Sequence, residues 1–355
     1  MAAAATGAIL ILGSLLGLWA WQAGTPYRQA PPAAGQGSAP DAWGASIPAV
    51  PGQLHVTTAG DYSSSAAATG VLAMIGAIGP DLHFALGDLS YGAAGAEQSW
   101  CDLVTANTGA GFPFELVSGN HESNGQNGNI SDFAACLPNQ LPGLVGTYGR
   151  QFHVDVPQQD PVARFIMISP GIPFPDGTWD YSAGSSNYAW TSAAIDGARS
   201  ASIPWVVVGM HTPCLSVGRY GCVAGADITN LMVSKKVDLV LNGHEHLYQR
   251  SKQLSTGGSC AGIDPGTYKA ECVHDADNVL DKGAGTVFAT VGTGGMDLRD
   301  VNTGDPEAPY FAAYSGLNAS PSHGLLDLQL TATSLTGRFV ATDGGFKDDF
   351  TIAAG

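Results

Sequence analysis

Five short apolar stretches, each followed by a cluster of polar residues, constrain the fold of this 355-residue chain more than any other feature. The stretches span residues 53–58, 82–86, 114–117, 205–208 and 237–241. Each has the length and the β-branched content of a buried strand, and Gly or Asn ends it. A helix is predicted between the first two, capped within 63–65, with Val71, Leu72 and Ile75 on one face. Strand, helix and strand in this order predict a parallel crossover.

The rest of the chain completes a prediction of a mixed α/β fold. Residues 286–291 are typical of another buried strand, whereas the Gly-rich segment 251–285 is predicted to be a surface excursion. Residues 324–340 and 346–352 alternate apolar and polar side chains, which favours antiparallel strands. We therefore expect two packed mixed β-sheets flanked by helices. Ligands bind beyond the carboxyl ends of strands in open α/β sheets, so the polar clusters should converge on one edge of a sheet.

The polar side chains at these strand ends are those that bind transition metals. They are Asp61, Asp88, Tyr91, Asn120, His121, His211, His244 and His246. This set suits two ions of the iron, zinc or manganese kind, because Ca²⁺ and Mg²⁺ sites would contain more carboxylates. His244 and His246 are two residues apart, so both rings project to the same side and can reach different ions. Two ions about 3.5–4 Å apart can clamp the attacking and leaving oxygens of a phosphoryl transfer.

Four motifs resemble those of the calcineurin-like metallophosphoesterases: GDLSYG (87–92), GNHE (119–122), GMHTP (209–213) and GHEHLYQR (243–250). Within that superfamily they are similar to the purple acid phosphatases, whose second block is Gly-Asp-x-x-Tyr. That subgroup also lacks the histidine that most relatives have two residues after the first Asp, where Ser63 stands here. The resemblance runs from about Gln53 to Ile352 and implies the four-layer metallophosphoesterase sandwich. The first block, AGDYS, departs from the usual Asp-x-Gly form.

The resemblance implies two neighbouring metal sites. Site one would comprise Asp61, Asp88, Tyr91 and His246, and site two would comprise Asp88, Asn120, His211 and His244. Asp88 would then bridge the ions. A tyrosinate favours Fe(III) at the Tyr91 site, and the second site would take Zn, Mn or Fe(II). Glu122 and Glu245, in the same motifs, are expected to support these ligands or to face solvent.

The implied function is that of an exported acid phosphatase-like hydrolase acting on ester bonds. It would hydrolyse small phosphate monoesters by attack of a metal-bound hydroxide, with Asp88 taking part as the bridge. Asn120 and His121 would contact the phosphate, and His121 would protonate the leaving oxygen or hold the phosphate. Two alternatives stay open: a phosphodiesterase for nucleotides or phospholipid head groups on the same centre, and a non-catalytic metal-holding surface protein.

The charge of the chain limits its partners. It has 14 Lys and Arg residues against 30 Asp and Glu residues, which gives a formal net charge of −16. Proteins that bind nucleic acids neutralise phosphates with clustered Lys and Arg, and the sequence contains no such cluster. We therefore expect a small phosphoester substrate and no nucleic acid as a bulk-bound partner. The sequence leaves the oligomeric state open.

The N-terminal region indicates export. Residues 1–23 contain an uncharged apolar run and are predicted to be a signal peptide or a membrane anchor. Residues 24–47 have the composition of a Pro/Gly-rich linker, and the catalytic domain is predicted over 48–355. We expect a secreted or extracytoplasmic protein that touches a membrane only through the N-terminal segment, if that segment is uncleaved.

The six cysteines agree with an exported chain, because an even number of cysteines in that context favours disulfides. Six cysteines allow 15 pairings. The pairing that closes the shortest loops is Cys101–Cys136, Cys214–Cys222 and Cys260–Cys272.

Overall fold

A computed structural model of the protein describes residues 50–354. The predicted signal peptide or anchor at 1–23 and the predicted linker at 24–47 lie outside the described residues. Within residues 50–354, none of the helices has both the length and the hydrophobicity needed to cross a bilayer.

Five α-helices lie within the described part of the chain. They are α1 (Ala66–Ile78), α2 (Glu97–Thr108), α3 (Ile130–Cys136), α4 (Ser186–Ser200) and α5 (Ala226–Ser234). The start of α1 follows the predicted capping pattern, because the Ser65 hydroxyl accepts a hydrogen bond from the backbone N–H of Ala68. Gly79 ends this helix in a left-handed conformation with φ 63°, which glycine adopts without steric cost.

Nineteen strands are described over the same residues. In chain order they are β1 (Gln53–Ala59), β2 (Leu82–Ala85), β3 (Phe114–Leu116), β4 (Val145–Thr147), β5 (Gln151–Val156), β6 (Ala163–Ile168), β7 (Pro173–Phe174), β8 (Gly177–Thr178), β9 (Trp205–Met210), β10 (Leu239–Asn242), β11 (Tyr248–Ser251), β12 (Gln253–Leu254), β13 (Val273–Asp275), β14 (Val279–Asp281), β15 (Val287–Val291), β16 (Phe311–Ser315), β17 (Gly324–Thr331), β18 (Ser334–Ala341) and β19 (Lys347–Ala353). Most of them form two large mixed sheets. One has the order β14-β19-β18-β17-β1-β2-β3, and the other has the order β16-β11-β15-β10-β9-β6-β5-β4.

The two large sheets pack face to face, with helices on the outer faces. Phe84 on β2 stacks on Phe165 on β6, with their ring centres 4.5 Å apart, inside a core that both sheets share. A second core joins the outer face of the eight-stranded sheet to α4 and α5, for example through Ile195 and Met232. The predicted mixed α/β fold of two packed sheets flanked by helices is therefore confirmed.

Several topological predictions agree with the observed pairing, and two differ from it. β1 and β2 are parallel on either side of α1, and β17, β18 and β19 are antiparallel. However, β1–β3 belong to the seven-stranded sheet and β9–β10 to the eight-stranded sheet, so the polar clusters come from two sheets rather than one. The segment 251–285 is also more than a surface excursion, because β14 pairs with β19 at the edge of the first sheet.

Three disulfides join the cysteines in the pairing that closes the shortest loops. They link Cys101 with Cys136, Cys214 with Cys222, and Cys260 with Cys272. The second of them closes a loop of 8 residues directly after the motif that contains His211. This disulfide therefore holds the segment that directly follows one of the strand-end motifs described next.

Candidate metal centre

The polar clusters meet because hydrogen bonds between strand-end loops tie the two sheets together at one end. The backbone N–H of Asp61, directly after β1, donates to the carbonyl of Gly87 over 3.0 Å. The N–H of Gly243, after β10, donates to the carbonyl of His211 over 2.9 Å. Across the sheets, the backbone N–H of His244 donates to Oδ2 of Asp61 over 2.8 Å. Loops from both sheets therefore share one site.

Left-handed backbone conformations turn several site residues toward a common point. Asp61, Asp88, Tyr91 and His244 have φ values of 61°, 52°, 52° and 69°. Few non-glycine residues adopt such values, because the Cβ atom then crowds the backbone. Gly87 is required for a different reason: a Cβ atom there would lie 2.8 Å from Nδ1 of His211 and closer still to the backbone of Gly119.

A first group of donor atoms surrounds the hydroxyl of Tyr91. This oxygen lies 3.1 Å from Oδ1 of Asp61, 2.9 Å from Oδ2 of Asp88 and 3.1 Å from Nε2 of His246. Nε2 of His246 is also 3.4 Å from Oδ1 of Asp61. All four residues that the sequence groups as site one are therefore brought together.

A second group surrounds Nε2 of His211. This nitrogen lies 3.3 Å from Oδ1 of Asp88, 3.2 Å from Oδ1 of Asn120 and 3.1 Å from Nδ1 of His244. Donor atoms of Asp88, His211 and His244 all lie within 4.8 Å of one another. Asp88 directs one carboxylate oxygen at each group, so its position is that of a bridging residue.

Backbone carbonyls fix the orientation of two of the imidazole rings. Nδ1 of His211 lies 2.8 Å from the carbonyl of Leu86, and Nδ1 of His246 lies 2.9 Å from the carbonyl of Asp297. Because a carbonyl only accepts, each Nδ1 carries a hydrogen, and each Nε2 faces the donor groups. Metal-binding histidines are held in this manner.

The buried carboxylates need a compensating positive charge. Burial, together with the charge of Asp88, raises the pKa of Asp61 to about 8. Burial disfavours a charged His211 ring, yet the carboxylates of Asp88 and Asp61 outweigh it and raise the His211 pKa to about 9. Burial lowers the pKa of His244 to about 3 and that of His246 to about 4, so these rings are neutral. Acidic oxygens beside the neutral rings of His244 and His246 fit cations.

Glu122 supports the carboxylate that stands between the two groups. It is 1% exposed, and its Oε1 accepts from the backbone N–H of Asp88 over 2.9 Å. The same oxygen accepts from the N–H of Gly119 over 2.5 Å, and Oε2 accepts from the N–H of Leu89 over 3.2 Å. The sequence left two possibilities for Glu122, support of the ligands or exposure to solvent. The structure shows the first of them.

Glu245 connects the centre to the disulfide-closed loop 214–222. Its side chain is buried, and Oε1 accepts a hydrogen bond from the backbone N–H of Tyr220. The Tyr220 ring stacks on His244 with 4.4 Å between ring centres. The guanidinium carbon of Arg299 lies 5.2 Å from the Tyr220 ring centre, and Nη1 donates to the carbonyl of His244 over 3.3 Å. Sequence reasoning assigned no role to Tyr220 or Arg299. For Tyr220 the available signal was its place between Cys214 and Cys222.

His121 lies at the rim of the centre. Its Nε2 is 3.7 Å from Oδ2 of Asp88, and its ring centre is 4.2 Å from that of Tyr91. Its side chain is 28% exposed, so a bound molecule can reach it. Nδ1 contacts Asn127, a residue outside the four motifs. All eight strand-end residues named from the sequence are therefore at this one site.

Comparisons with known proteins agree with this geometry. The model of the calcineurin-like phosphoesterase family matches residues 54–248. An uncharacterised protein of Mycobacterium tuberculosis is 30% identical over 237 residues, which cover 61% of this chain and 42% of that protein. The Fe(3+)-Zn(2+) purple acid phosphatase 12 of Arabidopsis thaliana is 26% identical over 153 residues, which cover 42% of this chain and 30% of that protein. The chain thus spans less than half the length of these relatives.

The fold also resembles that of a solved structure. A purple acid phosphatase from yellow lupin seeds superposes with a TM-score of 0.60 at 18% identity. The match covers 85% of this chain and 54% of the lupin protein. At this identity the likeness concerns the fold, which is the same arrangement of packed sheets.

Proposed function

The chain belongs to the calcineurin-like phosphoesterase family, and on that premise we propose that it is a binuclear, metal-dependent hydrolase of small phosphate monoesters. The observation that carries the proposal is the pair of donor groups that share Asp88. A carboxylate with one oxygen in each group suits two adjacent ions better than one ion. The Arabidopsis relative, whose name specifies an Fe(3+)-Zn(2+) phosphatase, supports the same type of centre.

Each donor group would hold one ion. Asp61, Asp88, Tyr91 and His246 would hold Fe(III), because a phenolate oxygen and carboxylates favour a hard, highly charged ion. Asp88, Asn120, His211 and His244 would hold Zn, Mn or Fe(II), because two imidazoles suit borderline divalent ions. When bound, such ions lower the pKa of water and stabilise negative charge on phosphoryl oxygens.

The side chains of the protein would supply orientation and a proton. Glu122 fixes the backbone around Asp88 and so holds the bridging carboxylate in place. Asn120 and His121 would contact the phosphate at the rim, and Nε2 of His121 would give its proton to the leaving oxygen. A positioned imidazole typically contributes about 10²–10⁴-fold to such a step.

The charge of the protein supports a small substrate. Two ions with a summed charge of about +5 would outweigh the three negative charges of Asp61, Asp88 and Tyr91, so the centre would attract a phosphoester. The net charge of −16 would repel a large polyanion from the rest of the surface. A small phosphoester, rather than a nucleic acid, is therefore the proposed partner.

We also propose that the protein acts outside the cytoplasm. Three disulfides in the described residues fit an oxidising compartment. The apolar segment within 1–23 would direct export, either as a cleaved signal or as an anchor. The mass of the mature protein from its native source would distinguish the two.

Metal analysis of the purified protein, combined with a visible absorption spectrum, tests the proposed centre. We expect about two ions per chain and a visible band from an iron–tyrosinate pair. One ion per chain, or bound iron without a visible band, would contradict the assignment.

Assays with p-nitrophenyl phosphate and its bis ester test the reaction. The proposal expects faster hydrolysis of the monoester, whereas preference for the bis ester would favour a phosphodiesterase. The variant His121→Ala should lower kcat by about 10²–10⁴-fold with the metal content unchanged. Near-normal turnover in that variant would remove His121 from the proposed reaction.

A further inference from the structure

We propose that Asn127 is a positioning residue that holds His121 in the tautomer and orientation needed to protonate the leaving oxygen. This inference rests on the proposed function of the centre. It concerns a residue outside the four motifs, in the loop between β3 and α3. Three hydrogen bonds of its side-chain amide carry the argument.

The orientation of the Asn127 amide is fixed by two backbone carbonyls. Its Nδ2 lies 3.1 Å from the carbonyl of Tyr91 and 2.8 Å from the carbonyl of Gly92. Both carbonyls only accept hydrogen bonds, so the atom that faces them must be the amide nitrogen. The amide oxygen therefore points the other way, toward His121.

This orientation determines which ring nitrogen of His121 carries a hydrogen. Oδ1 of Asn127 lies 2.7 Å from Nδ1 of His121, and an amide oxygen can only accept. Nδ1 therefore carries a hydrogen. Nε2 is therefore the ring atom that faces the centre, 3.7 Å from the Asp88 carboxylate.

Asn127 also connects His121 to the tyrosine of the centre. The backbone N–H of Asn127 donates to the carbonyl of His121 over 3.0 Å, which closes the loop. The His121 ring packs on the Tyr91 ring, and the Asn127 side chain holds the Tyr91 carbonyl. Rotation of the imidazole would break the bond to Asn127, so this residue keeps Nε2 directed at the centre.

The reaction step assigned to this pair is a simple proton transfer. As the bond between phosphorus and the leaving oxygen breaks, the electron pair stays on that oxygen. The oxygen takes the proton from Nε2, and His121 becomes neutral while Nδ1 keeps its hydrogen bond to Asn127. Removing Asn127 should therefore affect substrates according to how much their leaving group needs a proton.

The test is a leaving-group series measured on metal-loaded protein. For Asn127→Ala we expect kcat to fall by about 10–100-fold on an alkyl phosphate. On 2,4-dinitrophenyl phosphate, whose leaving group departs without a proton, kcat should be nearly unchanged. Asn124→Ala is the matched control, because Asn124 lies in the same loop but is exposed, and its Oδ1 accepts a hydrogen bond from the N–H of Gln126 rather than from His121.

A double-mutant cycle separates positioning from a general structural effect. In the His121→Ala background, Asn127→Ala should cause little further loss, because the ring that it orients is gone. Equal losses across the leaving-group series, or a full further loss in that background, would overturn the proposed role of Asn127. Absence of turnover by the wild-type protein on every phosphoester would instead contradict the proposed function itself, and with it this role.

Discussion

Glu115 provides a quantitative test of how the fold tolerates a buried acid away from the centre. It lies on β3 with no exposed surface, and its Oε1 accepts from the backbone N–H of Leu141 over 2.7 Å. Burial raises its pKa from 4.5 to about 7, although the hydrogen bonds from Leu141 and Tyr148 act in the opposite direction. The carboxyl is therefore more readily protonated in the folded than in the unfolded chain.

The sign of the pH dependence follows from this difference. Because the folded pKa lies above the unfolded one, the contribution of Glu115 is fully present below about pH 4.5 and is lost as the pH rises through about 7. One pKa unit corresponds to about 1.4 kcal/mol, so the loss by pH 8 is about 3 kcal/mol. Glu115→Gln removes the ionisation while keeping the shape of the side chain.

Urea unfolding at pH 4.5 and pH 8 measures the effect. Relative to the wild type, Glu115→Gln should have a free energy of unfolding that is similar at pH 4.5 and about 3 kcal/mol higher at pH 8. Glu271→Gln is the control, because it removes the charge of an exposed carboxylate. Equal effects of Glu115→Gln at the two pH values, or destabilisation at pH 8, would refute the reasoning.

Three further predictions concern the centre and the loop beside it. Tyr91→Phe should abolish the visible band of the iron-loaded protein while iron stays bound, and a retained band in the absorption spectrum would exclude Tyr91 as its source. Glu122→Gln should weaken metal binding by about 10–100-fold in a chelator competition. The NH₂ group of the glutamine would face a backbone N–H that now donates a hydrogen bond to a Glu122 oxygen. Unchanged affinity would show that Glu122 does not position Asp88. Replacing Cys214 and Cys222 with Ser should lower the free energy of unfolding by about 2.5 kcal/mol, as expected for a loop of 8 residues, and an unchanged urea midpoint would contradict this.

The parts of the fold that could be predicted are those with a local signal. The apolar runs predicted β1 and β2, and the capping pattern predicted the helix between them. Both signals are local, because the burial of a strand and the start of a helix depend on neighbouring residues. The residues at the strand ends followed directly from this assignment. The motifs were sufficient to group Asp88 and His211 at one site, although 122 residues separate them along the chain.

The parts that escaped prediction depend on contacts between distant segments. Strand order is set by pairing across the chain, so the division of the polar clusters between two sheets had no local signal. The pairing of β14 with β19 is of the same kind. Asn127, Tyr220 and Arg299 reach the centre through irregular loops, whose course no periodicity describes. Their roles became visible only from distances between atoms.

The left-handed residues around the centre have a consequence for the evolution of the protein. Of nine non-glycine residues with positive φ in the described chain, five are Asp61, Ser63, Asp88, Tyr91 and His244. Such conformations cost on the order of 1 kcal/mol each, so the loops that bring the two sheets together are less stable than relaxed loops would be. Selection for stability alone would favour glycine or a shorter loop at these positions. If the proposed function is under selection, a lineage that lost it would gain stability by replacing these residues with glycine.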